Sequence, residues 1–282
     1  MPERRREPDP AGDRDLRGCL ESLYRTWNRR RFVHPDPLET LYAYPDPADQ
    51  EIVGLVAAGL AYGRVAQILA SIAAALAPLG PSPAAFLGAT GGRALDRLYA
   101  GFRHRFTSGR ELAFLLRGAR EAVQEHGSLH ARFCKGLSPG DETVLPALSA
   151  FVAALHRCTG TCRKGFLPSP DEGSACKRWH LFLRWMVRQD EVDPGGWRGV
   201  PRSMLVVPLD VHMHRIALEL GLTRRRQADQ VAALEITRAF REIAPEDPVR
   251  YDFVLTRLGI RRDLDASWLN AAGRLRNAEL GA

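Results

Sequence analysis

The spacing of apolar residues constrains this chain more than any other feature. From Asp15 onward apolar side chains recur three and four positions apart, and alternating runs rich in β-branched residues are scarce. That pattern predicts an all-α protein. Leu16, Leu20, Leu23 and Trp27 mark one face of a first helix, and Asp46 and Asp49 are start signals ahead of an apolar run that begins at Ile52. Gly80-Pro81 closes the next long segment; Ala113, Leu116, Ala119 and Val123 mark another helix, and Leu145 to Leu155 a further one. A Gly/Pro-rich break then spans Cys158 to Ser174. The clearest helix is predicted over 175–190. Trp179, Phe182, Leu183 and Met186 form its buried stripe, with Lys177, His180, Arg184 and Arg188 on the opposite side. Pro and Gly forbid regular structure from Glu191 to Ser203, and Pro208 makes Leu205–Leu209 an extended approach rather than a strand. Asp210 is placed to N-cap a helix with Met213, Ile216, Ala217 and Leu220 on its apolar face, ended by Gly221. Two more helices are predicted over 228–243 and 247–258, and no internal repeat is visible.

Composition narrows the class of protein. The most apolar stretch, Ile52 to Leu79, is interrupted by Arg64 and Gln67 and has Pro78 near its end, short of the roughly 20 apolar residues a membrane span needs. Core helices and no membrane partner are expected. Residues 1–14 are charged and Pro-containing with no apolar core, which reads as a flexible tail rather than a signal peptide and predicts a soluble cytoplasmic chain. The net charge of +7, from 40 Lys+Arg against 33 Asp+Glu, favours polyanionic partners. The five cysteines are expected to be reduced. Cys158 and Cys162, with His156 nearby and Cys176 beyond, fall short of four placed metal ligands, so ordinary thiols are expected and no metal.

The sequence becomes specific at Gly173–Arg188, GSACKRWHLFLRWMVR, and at Val207–Gly221, VPLDVHMHRIALELG. Val207-Pro208-Leu209-Asp210-Val211-His212 resembles the V-P-x-D-[VT]-H motif of the helix-hairpin-helix DNA glycosylases. Gly173-Ser174-Ala175-Cys176-Lys177-Arg178 resembles, more loosely, the segment that carries their lysine. Asp210 follows Lys177 by 33 residues, a separation similar to that of the archaeal 8-oxoguanine glycosylase branch. Pro245–Ile260 and Ala61–Ile68 also resemble a bacterial family without assigned function. The glycosylase resemblance implies a two-lobed helical fold over 15–282 with the active site in the cleft between lobes. It further implies a nucleoid-associated monomer that acts on double-stranded DNA with a damaged base, 8-oxoguanine first, without a cofactor. The four-cysteine cluster loop that some members carry after the aspartate has no counterpart, since Cys176 is the last cysteine.

The chemistry of N-glycosidic cleavage asks for this pair. Positive charge develops on the deoxyribose, and a carboxylate at Asp210 would stabilise it. Lys177, as a neutral amine, would attack C1′ and leave a Schiff base that permits β-elimination. A place in the first helical turn among Arg178, His180 and Arg184 would favour the neutral amine. Around the pair, Gly173 and Ser174 offer backbone N–H groups to phosphate, and Arg178, Arg198, Arg202 and His212 are candidate DNA contacts. Trp197, in a Gly-rich loop, is the candidate platform for a flipped base, ahead of Trp179 and Trp185. Plainer roles stand beside these. Asp210 could be a helix cap alone, Lys177 a solvated lysine, Trp179 core, and the whole chain a non-catalytic DNA-binding scaffold or a glycosylase for another base.

Overall fold

A computed structural model describes residues 15–157 and 166–260. The expected tail at 1–14 and the pair Cys158 and Cys162 lie outside the described residues. Twelve α-helices appear among those described, with short 3-10 turns between several of them. The only strands described are two-residue pieces, β1 (Arg103–His104) and β2 (Thr107–Ser108), paired antiparallel. This hairpin escaped prediction because two residues carry no periodicity.

Helix α2 (Pro47–Leu60) is the axis of the molecule. Every residue from Glu51 to Leu60 is buried, and α3 (Val65–Leu76), α4 (Pro83–Ala89) and α9 (Lys177–Val187) pack around it. Asp46 caps α2 through Ala48 N at 2.8 Å, as its position predicts. Asp49 does something else. Its buried carboxylate accepts from Ala84 N (2.8 Å) and Ser82 Oγ (3.1 Å), capping α4 from a distance and tying the two helices together.

A second group is built from α5 (Gly92–Leu98), α6 (Gly109–His126), α7 (Leu129–Cys134) and α8 (Leu145–Arg157). Ser108 and Glu111 form a capping box at the start of α6. Gly118 permits the close crossing of α6 and α8, because a Cβ there would stand 2.2 Å from the Leu155 carbonyl oxygen. The C-terminal group holds α10 (Val211–Glu219), α11 (Gln230–Ile243) and α12 (Asp252–Ile260), with α12 packed on both α10 and α1 (Leu16–Trp27). Gly221 (φ 66°) ends α10 as expected, and Leu205–Leu209 runs extended without joining a sheet. No single helix among the described residues is long and apolar enough to cross a membrane.

The helix predicted over 175–190 is present as α9, but its polar side is not a solvated face. His180, Arg184 and Arg188 are as buried as Trp179 and Phe182. Burial pushes the His180 imidazole down to about 3, so it is neutral at physiological pH. Arg184 and Arg188 end in a buried cluster of aspartates described below. The 100° periodicity located the apolar stripe correctly and could not reveal that the rest of the helix is enclosed as well.

Candidate functional site

Helix α9 begins abruptly. Cys176, the residue before it, is held in the left-handed region (φ 47°, ψ 33°) and makes no side-chain cap. That conformation costs a non-glycine residue on the order of 1–3 kcal/mol and is sustained by surrounding contacts. The Cys176 thiol is buried against the Pro168 carbonyl, its N–H donates to Ser174 Oγ at 3.3 Å, and its own carbonyl accepts from His180 N. Burial pushes the thiol up to about 11, so it stays protonated and is no nucleophile. The turn sets Lys177 at the first position of α9, with its side chain leaving toward α10.

Asp210 caps α10 as predicted, and its two oxygens divide the work. Oδ1 accepts from His212 N (3.0 Å) and Met213 N (2.9 Å), which fixes the carboxylate on the helix end. Oδ2 lies 3.0 Å from Lys177 Nζ. The residues separated by 33 positions therefore meet as a direct ion pair. Burial works to raise the Asp210 carboxyl, but the Lys177 ammonium and the Met213 N–H outweigh it and hold it below the ordinary aspartate value. The lysine side chain keeps 32% of its surface and the aspartate 20%, so the pair is anchored yet reachable.

Two cavities open on the pair. One, of about 410 Å³, runs inward from Lys177 and Asp210 to Trp185, Asp252 and Phe253, with Asp36 on its far side. The other, of about 580 Å³, extends past Ser174, Pro168 and Leu209 toward Asp229. Tyr62, Gly63 and His212 line both. Gly63 (φ 108°) makes the sharp turn between α2 and α3 that carries Tyr62 into this place.

The remaining candidates divide. Ser174 and Arg178 line the larger cavity, and exposed His212 stands at the mouth of both. Arg178, however, is largely consumed by structure. Its Nη1 donates to the Gly59 carbonyl at 2.8 Å, its Nη2 to the Phe166 carbonyl, and the guanidinium sits over the Tyr62 ring. Gly173 (φ 72°) ends a 3-10 turn, and its carbonyl accepts from Gln230 N. Arg198 and Arg202 are exposed but line neither cavity. Trp197 cannot be a free stacking platform. It is 6% exposed, packs among Phe133 and Phe182, stacks on His130, and donates from Nε1 to Glu51 Oε1 at 2.9 Å. The Gly-rich loop suggested availability, but the side chain points into the core. Of the three tryptophans considered, Trp185 is the one that borders the inner cavity.

The cationic surroundings expected around Lys177 are also absent in that form. His180 is neutral, and Arg184 is committed to Asp193 and Asp252. Asp252 itself escaped the sequence reading. It lies in the stretch Pro245–Ile260, yet nothing in its spacing shows that it faces the same cavity as Asp210. Among the described residues no three His, Cys, Asp or Glu side chains gather as a metal-binding cluster.

Residues 36–261 match a family described as protein of unknown function, DUF2400. The chain belongs to that family. No curated protein and no solved structure matches it. The family span contains α2 to α12, both cavities, Lys177 and Asp210.

Proposed function

We propose that this DUF2400 protein is a base-excision DNA glycosylase with AP lyase activity, working through Lys177 and Asp210. The observation that carries the reading is the ion pair itself. A lysine amine and a helix-capping carboxylate meet at 3.0 Å, part-exposed, between two cavities large enough for a nucleotide and its backbone. On this reading the helices before α9 and those around α10 to α12 act as two lobes, and damaged duplex DNA binds across the cleft between them. An oxidised purine, 8-oxoguanine first, is the substrate class that the motif resemblance suggests.

On this reading the two side chains divide the chemistry. Asp210 Oδ2 accepts the proton that the Lys177 ammonium must lose, while Oδ1 stays on the α10 backbone and keeps the carboxylate still. The freed Nζ bonds to C1′; the glycosidic bond breaks, and its electron pair leaves with the base, which takes up a proton. Nζ then loses a proton, its lone pair closes onto C1′, and the C1′–O4′ bond breaks with its electron pair going to O4′, which takes up a proton, to give the Schiff base. Loss of a C2′ proton then expels the 3′ phosphate by β-elimination, and water releases the lysine. Asp210 hands the proton it took to the departing base and, ionised again, opposes the positive charge on the sugar and its Schiff base.

Borohydride trapping tests this. Incubation with duplex DNA carrying 8-oxoguanine or an abasic site, followed by reduction, is expected to yield a covalent complex that Lys177→Gln abolishes. Salt-sensitive duplex affinity without any trapped complex would instead favour a binding-only role.

A further inference from the structure

The most exposed large apolar side chain among the described residues is Phe106, at 81%. A single exposed phenylalanine is ordinary on a protein surface and by itself needs no partner. This one differs in how it is mounted. The register Arg103↔Ser108 and His104↔Thr107 leaves Arg105 and Phe106 as the two-residue tip of the β1–β2 hairpin. Arg105 holds φ 51°, a conformation that such turns usually give to Gly, Asn or Asp. Below the tip the hairpin is fixed. His104 is wholly buried; its Nδ1 meets Ser71 Oγ at 2.8 Å and its Nε2 the Tyr62 carbonyl at 3.1 Å. The Tyr62 hydroxyl donates to the His104 carbonyl (2.8 Å) and accepts from Thr107 N (3.0 Å), and its ring stands edge-on to the imidazole. Tyr62 lines both cavities, so the tip has a set place on the rim of the site.

The tip is also cationic. The Arg105 guanidinium lies 5.8 Å from the Tyr62 ring centre and 5.7 Å from that of Phe106. It crosses Gly63 so closely that a Cβ there would stand 2.6 Å from Nη1. Arg64, Arg103 and Arg105 are all exposed, and none is ion-paired among the described residues. Glu111, the carboxylate nearest in sequence, is occupied in the α6 capping box, where Oε2 takes Ser108 N (2.7 Å) and Ser108 Oγ (2.8 Å).

Three free guanidiniums around one fixed, exposed aromatic face suit a partner that supplies anionic oxygens and a flat π surface together. A DNA strand does so where a base is unstacked, since bases inside a duplex are covered by their neighbours. An anionic membrane supplies the charge, but anchoring there scales with buried apolar area, and a single phenylalanine offers little. We propose that the β1–β2 hairpin is a strand-binding element, in which Phe106 stacks on an unpaired base and Arg64, Arg103 and Arg105 take the phosphates beside it. The partner is an unpaired stretch of DNA next to the site. The contact rests on the glycosylase reading only for its place beside the lysine chemistry, and it can be measured without a lesion.

The test is fluorescence anisotropy of the full chain with an end-labelled oligothymidylate of about a dozen nucleotides, against a tetrahydrofuran oligomer of equal length that keeps the phosphates and lacks the bases. The oligothymidylate is expected to bind about tenfold more tightly, the size of one base–aromatic stack. Phe106→Ala, which removes a side chain outside the core, should abolish that preference and leave the base-free oligomer bound as before, whereas Phe106→Trp should keep it. Arg105→Ala should weaken both oligomers alike and lower the slope of log affinity on log salt by about 0.7, the share of one phosphate on a single strand. Equal binding of the two oligomers by the wild-type protein, or a preference that survives Phe106→Ala, would overturn the strand contact. So would Phe106-dependent binding to phosphatidylglycerol vesicles without any preference between the oligomers, which would make the tip a membrane contact. The two readings fail separately. Trapping at an abasic site without a base preference removes the hairpin contact and leaves the lysine chemistry, whereas a Phe106-dependent preference without trapping does the reverse.

Discussion

Helix α9 carries two kinds of Asp–cation contact within three turns, and they differ in almost every physical respect. At its start, Lys177 meets Asp210 in a single ion pair with both side chains partly exposed. Toward its end, Arg184 and Arg188 are 4% and 2% exposed and share Asp193, which is wholly buried, with Asp252, Asp190 and Asp247 completing the cluster. The second arrangement holds α9 to α12 and to the loop after α9. Its planar guanidiniums each satisfy several carboxylate oxygens at once, which suits arginine in a dry interior. The first uses a flexible amine with one partner and open space on two sides. Residue types that look alike in sequence are therefore a buried scaffold at one end of the helix and a part-exposed pair lining two cavities at the other.

The sharpest way to break the comparison is to remove a cation from the buried cluster. Arg188→Ala leaves Asp193 with Arg184 alone and takes from Asp247 the Arg188 Nε that now lies 3.0 Å from both its oxygens. The expected loss is about 3–5 kcal/mol of folding stability. Chemical denaturation would measure it; a loss below about 1 kcal/mol would mean that the cluster is far more hydrated than its burial implies.

That contrast also explains what could be read in the sequence. Elements with strong periodicity or punctuation were legible: the apolar faces of α1, α6 and α10, the Asp46 and Asp210 caps, the Gly221 stop. So was the Lys177–Asp210 candidate pair, because it rests on local motifs at two helix starts. What long-range packing decides was not legible. Trp197 sits in a loop of glycines, yet Glu51, 146 residues earlier, receives its indole N–H. Arg184 and Arg188 fall on the polar side of a helical wheel, which shows neither their pairing with Asp190 and Asp193 in the next loop nor that with the distant Asp247 and Asp252. Asp252 joins the cavity for the same reason, through the packing of α12 on α10 rather than through any spacing of its own.

At the other end of α9 the effects on stability should be small while those on chemistry are large. Asp210→Ala removes two backbone acceptances at the start of α10 and is expected to cost about 1 kcal/mol, the usual worth of a cap. Lys177→Gln breaks only a part-exposed ion pair and should change stability by less than about 1 kcal/mol. Both variants are expected to fold, as judged by circular dichroism and cooperative melting, and to lose borohydride trapping. Trapping retained by a folded Lys177→Gln protein would remove the lysine from the mechanism.

The finest test sets Asp210 against Asp252, two carboxyls that line one cavity and are shifted in opposite directions. Asp210 is held below its ordinary value by Lys177 and the α10 backbone despite burial, so it stays ionised across mildly acid pH. Asp252 is pushed up to about 6, chiefly by burial, because Arg184 is shared with Asp193 and compensates only in part, and Asp210 adds like charge. In the interval between its ordinary value of 3.8 and about 6, the folded protein holds a proton on Asp252 that the unfolded chain does not. This residue therefore adds stability as pH falls through that interval and withdraws it as pH rises. Asp210 acts oppositely, since its stabilising contribution is complete above its ordinary value and is lost only as pH falls through its lower folded value. The stability difference between the wild-type protein and Asp252→Asn should therefore change between pH 7 and pH 5, with a midpoint near 6 set by the Asp252 environment of Arg184, Asp193 and Asp210. Asp252→Asn should flatten the part of the stability profile that Asp252 causes. A difference that stays flat from pH 7 to pH 5, measured by chemical denaturation, would mean that Asp252 titrates at its ordinary value and that Arg184 fully offsets its burial.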